Sequence, residues 1–150
     1  MLTSNKKILI YLMFFVTLLI SVILGENSSG GAKIDYLLTK KYIENFQLDL
    51  SLGIELFKSD NQGHLPFFYI FIANLNSLLG ERFVSYLYLI VSSCIPFVFY
   101  DVLKKNFSEK SYGTLFFLSL IIFLSPYFRS STVWITTDNL ALLFFLFSIN

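Results

Sequence analysis

Hydrophobic residues in this chain collect into long runs separated by one large polar block, and the runs have the dimensions of helices. Residues 8–24 carry no charge and follow Lys6 and Lys7. At 1.5 Å per residue this run makes about 25 Å of helix, enough for a hydrocarbon core when the lysines snorkel toward headgroups. Its length, and the lack of a clean A-x-A site after it, favour a retained anchor over a cleaved signal peptide. Further runs occupy residues 83–103, 113–128 and 139–150, the last still apolar at Asn150 and so incomplete as a span. Residues 65–79 would make only about 22 Å of helix and carry Asn74 and Asn76, which is marginal for a crossing.

Charge placement decides how to treat that marginal run. Cytoplasmic flanks are enriched in Lys and Arg. If residues 65–79 cross, Lys104, Lys105 and Lys110 fall on the opposite side from Lys6 and Lys7; if they lie along the interface, both clusters share the cytoplasmic side. The second topology is preferred. It makes residues 25–82 one extracytoplasmic block and returns residues 129–138 to that same side.

Within the block, Ile34, Leu38, Tyr42 and Phe46 recur every four residues, which predicts an interfacial amphipathic helix near residues 34–46 with Tyr36 and Ile43 on its other face. Residues 46–56 then alternate apolar and polar, Phe46, Leu48, Leu50, Leu52, Ile54 and Leu56 against Gln47, Asp49, Ser51, Gly53 and Glu55, a period that predicts an extended, half-buried segment. Residues 58–63 form a polar turn. Pro66 suits the first turn of a second interfacial helix near residues 65–79, where its missing N–H is not needed.

Composition turns this pattern into a class. With 55% hydrophobic residues, 18 Phe, 14% charged residues and a mean hydropathy of +0.68, the chain reads as a multi-pass, all-α integral membrane protein. A net charge of +1 with no clustered basic surface excludes nucleic acid as a partner. The single Cys94 lies in an apolar run, with no second thiol for a disulfide or a zinc site.

The residues that could carry chemistry sit at the ends of the apolar runs. Asp35 and Asp138 both stand where an acid would complement a helix N-terminus, and in the preferred topology they emerge on one side of the membrane as a pair of candidate catalytic carboxylates. His64, the only histidine, is a candidate substrate-binding group or a plain interfacial anchor. Arg129 could hold a phosphate or snorkel to headgroups. Trp134 suits an aromatic belt as well as stacking on a sugar ring.

Taken in order, a first span, an outer loop bearing Asp35, His64-Leu65-Pro66 before an apolar helix, Ser125-Pro126, and Asp138 ahead of a span resemble the N-terminal part of the GT-C superfamily of polyprenol-phosphate-sugar-dependent glycosyltransferases, which includes protein O-mannosyltransferases and lipid A aminoarabinose transferases. The resemblance runs from about residue 8 to residue 150 and corresponds to roughly the first third of such an enzyme, so the chain is expected to be an N-terminal piece. Tyr36 follows Asp35 where many relatives carry Glu, and Leu65 stands inside the common His-Pro-Pro.

The resemblance implies a polytopic helix bundle in the plasma (inner) membrane with juxtamembrane helices in an outer loop, and a site facing away from the cytoplasm. A lipid-linked sugar phosphate would be the donor, and a lipid, glycan or protein the acceptor. Asp35 would act as general base in an inverting transfer, Asp138 would orient a substrate or help hold the divalent metal that some relatives use, and Arg129 and His64 would balance the departing phosphate. Two other classes compete: a transporter or flippase-like subunit with Asp138 and Arg129 on its path, against which no span centre carries an ionisable group, and a structural protein whose aromatic helices only pack against a partner.

Overall fold

The computed structural model describes residues 4–27, 32–60 and 65–150, and among these all regular structure is helical. The elements in chain order are α1 (Ser4–Leu24), α2 (Ala32–Leu48), α3 (Leu50–Ser59), α4 (Phe67–Leu79), α5 (Glu81–Asn106), α6 (Tyr112–Leu120), a 3-10 turn (Ile121–Leu124), α7 (Pro126–Trp134) and α8 (Thr137–Ser148). Two of them, α1 and α5, are long and apolar enough to cross a membrane. The α6 to α7 stretch meets the same test as a pair but is bent by 59°. The bend has a local cause. Ser125 is extended and its hydroxyl accepts from Phe128 N, while Pro126 occupies the first helical turn, so a new helix starts there instead of continuing the old one.

The α4 helix, at 13 residues, is about 20 Å long and falls short of a crossing. Gly80 alone links it to α5, with φ +85 and ψ 146; its N–H donates to Asn76 O and its carbonyl accepts from Val84 N. One residue therefore ends one helix and begins the next. An L side chain would be strained in that conformation.

The extended segment expected over residues 46–56 is instead the end of α2, one linking residue and most of α3. Asp49 is that link: its backbone is extended, its carboxylate accepts from Leu52 N at 2.8 Å, and it caps α3. In the helix, Gly53 and Phe57 fall on one face and pack on Phe46, while Leu50 and Leu52 point outward. The alternation thus arises from two helical faces meeting at a cap. The buried face of α2 is also rotated from the one expected: Ile34 (63% exposed) and Leu38 (52%) lie outside, and Thr39, Tyr42, Ile43 and Phe46 are buried.

Two apolar clusters result. One joins α1, α5, α6 and α8 around Leu18, Leu89, Ile95, Leu120 and Phe123; the other packs α2, α3, α4 and the start of α5 around Tyr42, Phe57, Ile72 and Tyr88. Pro96 removes one backbone donor inside α5, and in that turn the Tyr11 hydroxyl from α1 donates to Ser93 O at 3.0 Å. Lys7 lies beside Tyr100 and Phe116, and Lys104 beside Tyr100 and Tyr112. Lys7 near the start of α1 and Lys104 in the last turn of α5 therefore share one end of the bundle.

Candidate functional site

At the other end, the first turn of α2, the end of α7 and the start of α8 come together. Tyr36 of α2 packs against Trp134 of α7 with ring centroids 5.4 Å apart and planes tilted by 47°, and Lys33 Nζ lies 5.9 Å from the Trp134 ring. Asp35 precedes Tyr36 in the first turn of α2, and Asp138 occupies the first turn of α8, four residues beyond Trp134. Both carboxylates are exposed. Each complements the free N–H groups of its own helix. The Thr136 hydroxyl lies 2.5 Å from Asp138 Oδ2 and 2.7 Å from Ser131 Oγ, which fixes the Asp138 carboxylate against the α7–α8 turn.

That turn is backbone-strained. Ile135 ends α7 with φ 50 and ψ 52, a left-handed conformation that costs a β-branched residue about 1–2 kcal/mol. Beneath it, Asn139 Nδ2 donates to Thr132 Oγ1 at 2.8 Å, Ser92 Oγ at 3.2 Å and Phe128 O at 3.2 Å, and the Tyr88 hydroxyl donates to Thr136 O. These bonds over-determine the turn and hold Ile135 in place.

Beside Ile135 opens a cleft of about 90 Å³ between α2, α4 and the start of α5, lined by Tyr36, Lys40, Glu44, Asn76 and Glu81 among others. The Tyr36 hydroxyl donates to Glu81 Oε1 at 2.5 Å, and Lys40 Nζ donates to the same carboxylate at 2.9 and 3.2 Å. Burial, and then the neighbouring Glu81 carboxylate, push the Tyr36 phenol well above its ordinary pKa, so it stays a donor throughout the physiological range. Asn76 Oδ1 is buried with no hydrogen-bond partner among the described residues.

Arg129 is placed differently from a phosphate clamp. Its Nε lies 3.1 and 3.2 Å from the two Glu26 carboxylate oxygens, one terminal nitrogen lies 2.7 Å from Glu26 Oε2 and also reaches Ser21 Oγ, and the other lies 3.3 Å from Thr17 Oγ1. The guanidinium ties α7 to the end of α1, and an incoming phosphate would have to compete with Glu26. Trp134 joins the same tether through its indole N–H, which donates to Glu26 O at 2.9 Å. His64 lies outside the described residues.

Sequence reasoning passed over Glu26, Tyr36, Lys40, Asn76 and Glu81. The one signal for Glu26 was its position as the first acid after the first apolar run; nothing in the sequence periodicity marks the others. Among the described residues no group of three or more His, Cys, Asp or Glu side chains is assembled for a metal ion. The chain matches no family model, no curated protein and no solved structure.

Proposed function

We propose that the chain is part of a GT-C-like membrane glycosyltransferase that moves a sugar from a polyprenyl-phosphate donor to an acceptor on the extracytoplasmic side. One observation carries this reading. The Tyr36–Trp134 ring contact draws the Asp35-bearing turn of α2 to the start of α8 that bears Asp138, at the end of the bundle opposite Lys7 and Lys104. With the flanks that carry Lys6, Lys7, Lys104, Lys105 and Lys110 taken as cytoplasmic, both carboxylates face outward. The short α2, α3 and α4 helices suit an interfacial layer beneath which a lipid-borne donor could approach, their outward leucines meeting the headgroup region.

In this mechanism the Asp35 carboxylate takes the proton of an acceptor hydroxyl as its oxygen attacks the anomeric carbon. The bond from that carbon to the phosphate oxygen breaks, and its electron pair leaves with the phosphate. Configuration inverts, through a transition state of oxocarbenium character like that of glycoside hydrolysis. Asp138, fixed by Thr136, orients a substrate hydroxyl. Trp134 and Tyr36 present aromatic surface on which a sugar ring can stack.

Asp35→Asn keeps size and polarity while removing the base. It is expected to insert normally and to lose transfer from a polyprenyl phosphate sugar by at least about a hundredfold. Full transfer in membranes carrying Asp35→Asn would remove Asp35 from the chemistry. Substrate flux through vesicles without transfer would replace the enzyme reading with a transporter.

A further inference from the structure

At the lysine-bearing end, α1, α5 and α6 leave an open groove of about 420 Å³ whose walls include Ile8, Tyr11, Leu12 and Phe97. Ile8, Leu12 and Phe97 are each about half exposed, so the wall is apolar and uncovered by the chain's own helices. Its mouth is cationic. Lys7 Nζ lies 6.0 Å from the Tyr100 ring centroid, and Lys104 Nζ lies 5.8 Å from the same ring. Lys7 thus lines the groove itself, and Lys104 stands at the Tyr100 ring that forms part of its wall. Among the described residues neither is in a salt bridge; the three present involve Lys40, Lys41 and Arg129.

The surroundings keep the positive sign. A second opening of about 500 Å³ adjoins the groove through Lys7 and adds Lys110, with Glu109 at its edge. Asp101 faces Lys104 and Lys105, and Lys105 also donates to the Asn150 carbonyl. This end therefore sets Lys6, Lys7, Lys104, Lys105 and Lys110 against Asp101 and Glu109. An anion at the Lys7 end of the groove would offset this excess, and the apolar wall beside it selects an anion that carries a hydrocarbon chain.

We infer that this groove binds an anionic phospholipid of the cytoplasmic leaflet, one acyl chain lying along Ile8, Leu12 and Phe97 and the phosphate meeting the Lys7 ammonium, with Lys104 adding its charge from beside the Tyr100 wall. A zwitterionic lipid satisfies the wall but brings its own cation to the lysines. A soluble phosphate satisfies the lysines and leaves the wall bare. The inference rests on α1 and α5 crossing the membrane with the Lys7 and Lys104 end toward the cytoplasm, and is independent of any transfer activity.

The test is lipid retention by the protein in nanodiscs of phosphatidylcholine mixed equally with phosphatidylglycerol, read by native mass spectrometry, with helical content checked for every variant. Wild type is expected to retain phosphatidylglycerol in preference to phosphatidylcholine. Each lysine near the phosphate is expected to contribute about fivefold, so the double variant Lys7→Gln with Lys104→Gln loses about 25-fold of that preference. Lys41→Gln with Lys58→Gln, in the outer block, leaves it unchanged. Leu12→Trp fills the groove and releases the lipid with every lysine in place.

Equal retention of the two lipids by wild type would overturn the assignment without recourse to any variant. Loss of preference in the outer-block control equal to that in the Lys7 and Lys104 variant would also overturn it. So would displacement of phosphatidylglycerol by soluble glycerol phosphate, because the apolar wall would then have no part in binding.

Discussion

The Glu26–Arg129 pair gives the sharpest stability prediction, because its geometry separates a built tether from a snorkelling arginine. The two side chains are 18% and 28% exposed, Arg129 first, and the guanidinium meets the carboxylate through Nε and one terminal nitrogen. Removing one partner of a fully buried ion pair costs about 3–5 kcal/mol, and hydrogen bonds to charged groups are worth about 1.5–3 kcal/mol. Partial exposure lets water take up some of the loss. Glu26→Gln is therefore expected to cost about 2 kcal/mol. Arg129→Gln is expected to cost about 3 kcal/mol, since it also releases Thr17 and Ser21 on α1. The double variant should cost no more than Arg129→Gln alone, which leaves a coupling of about 2 kcal/mol. Denaturant unfolding in mixed micelles, followed by circular dichroism, measures all three. Trp134 emission gives a local readout, because its indole N–H donates to the Glu26 carbonyl and should keep that acceptor in Glu26→Gln. Additivity of the two single variants to within about 0.5 kcal/mol would refute the tether and leave Arg129 as an independently solvated cation.

Two further substitutions test how the interfacial helices are joined. In Gly53→Ala the new Cβ would meet Phe46 Cδ1 at 2.4 Å and Cε1 at 2.8 Å, so the gain of about 1 kcal/mol expected from helix propensity should become a net loss of about 1 kcal/mol, and Phe46→Leu in the same chain should recover it; a more stable Gly53→Ala single variant would place Phe46 elsewhere. In Gly80→Ala nothing crowds the new Cβ, so the whole cost of about 1–3 kcal/mol should come from the backbone at φ +85. An unchanged unfolding midpoint for that variant would mean that α4 and α5 are joined by another conformation.

Much of the helical layout was legible because membrane-length runs carry their own signal. Residues 8–24 and 83–103 lie within α1 and α5, whereas residues 113–128, expected as one run, are broken at Ser125-Pro126 with a bend of 59°. The interfacial layer was harder to read. Leu48, Leu50 and Leu52 alternate with polar residues as a strand would, yet Asp49 can cap a helix only when the chain is already extended at that one position, a fact that periodicity does not record. On α2 the expected apolar face is divided: Tyr42 and Phe46 pack inside together with Ile43 from the other face, while Ile34 and Leu38 stay exposed. In the candidate site, Asp35 and Asp138 were visible as acids at helix starts. Their neighbours were not, because Tyr36 reaches Glu81 across 45 residues and Arg129 reaches Glu26 across 103, and such pairings exist only after the helices pack.

The polar junction under Ile135 bears on how α8 finds its seat. Interhelical hydrogen bonds in membrane proteins average about 0.6 kcal/mol, too little for the bonds of Asn139 to hold α8 by strength. Their arrangement is nonetheless exclusive. Asn139 reaches Ser92 on α5 and both Thr132 and the Phe128 carbonyl on α7 from a single rotational setting of α8. A turn of α8 about its axis, or a shift of one residue along it, would leave the amide among Phe and Leu side chains. The junction works as an address more than as an adhesive: it selects one docking of α8 from many apolar alternatives, and with it the orientation in which Asp138 is presented.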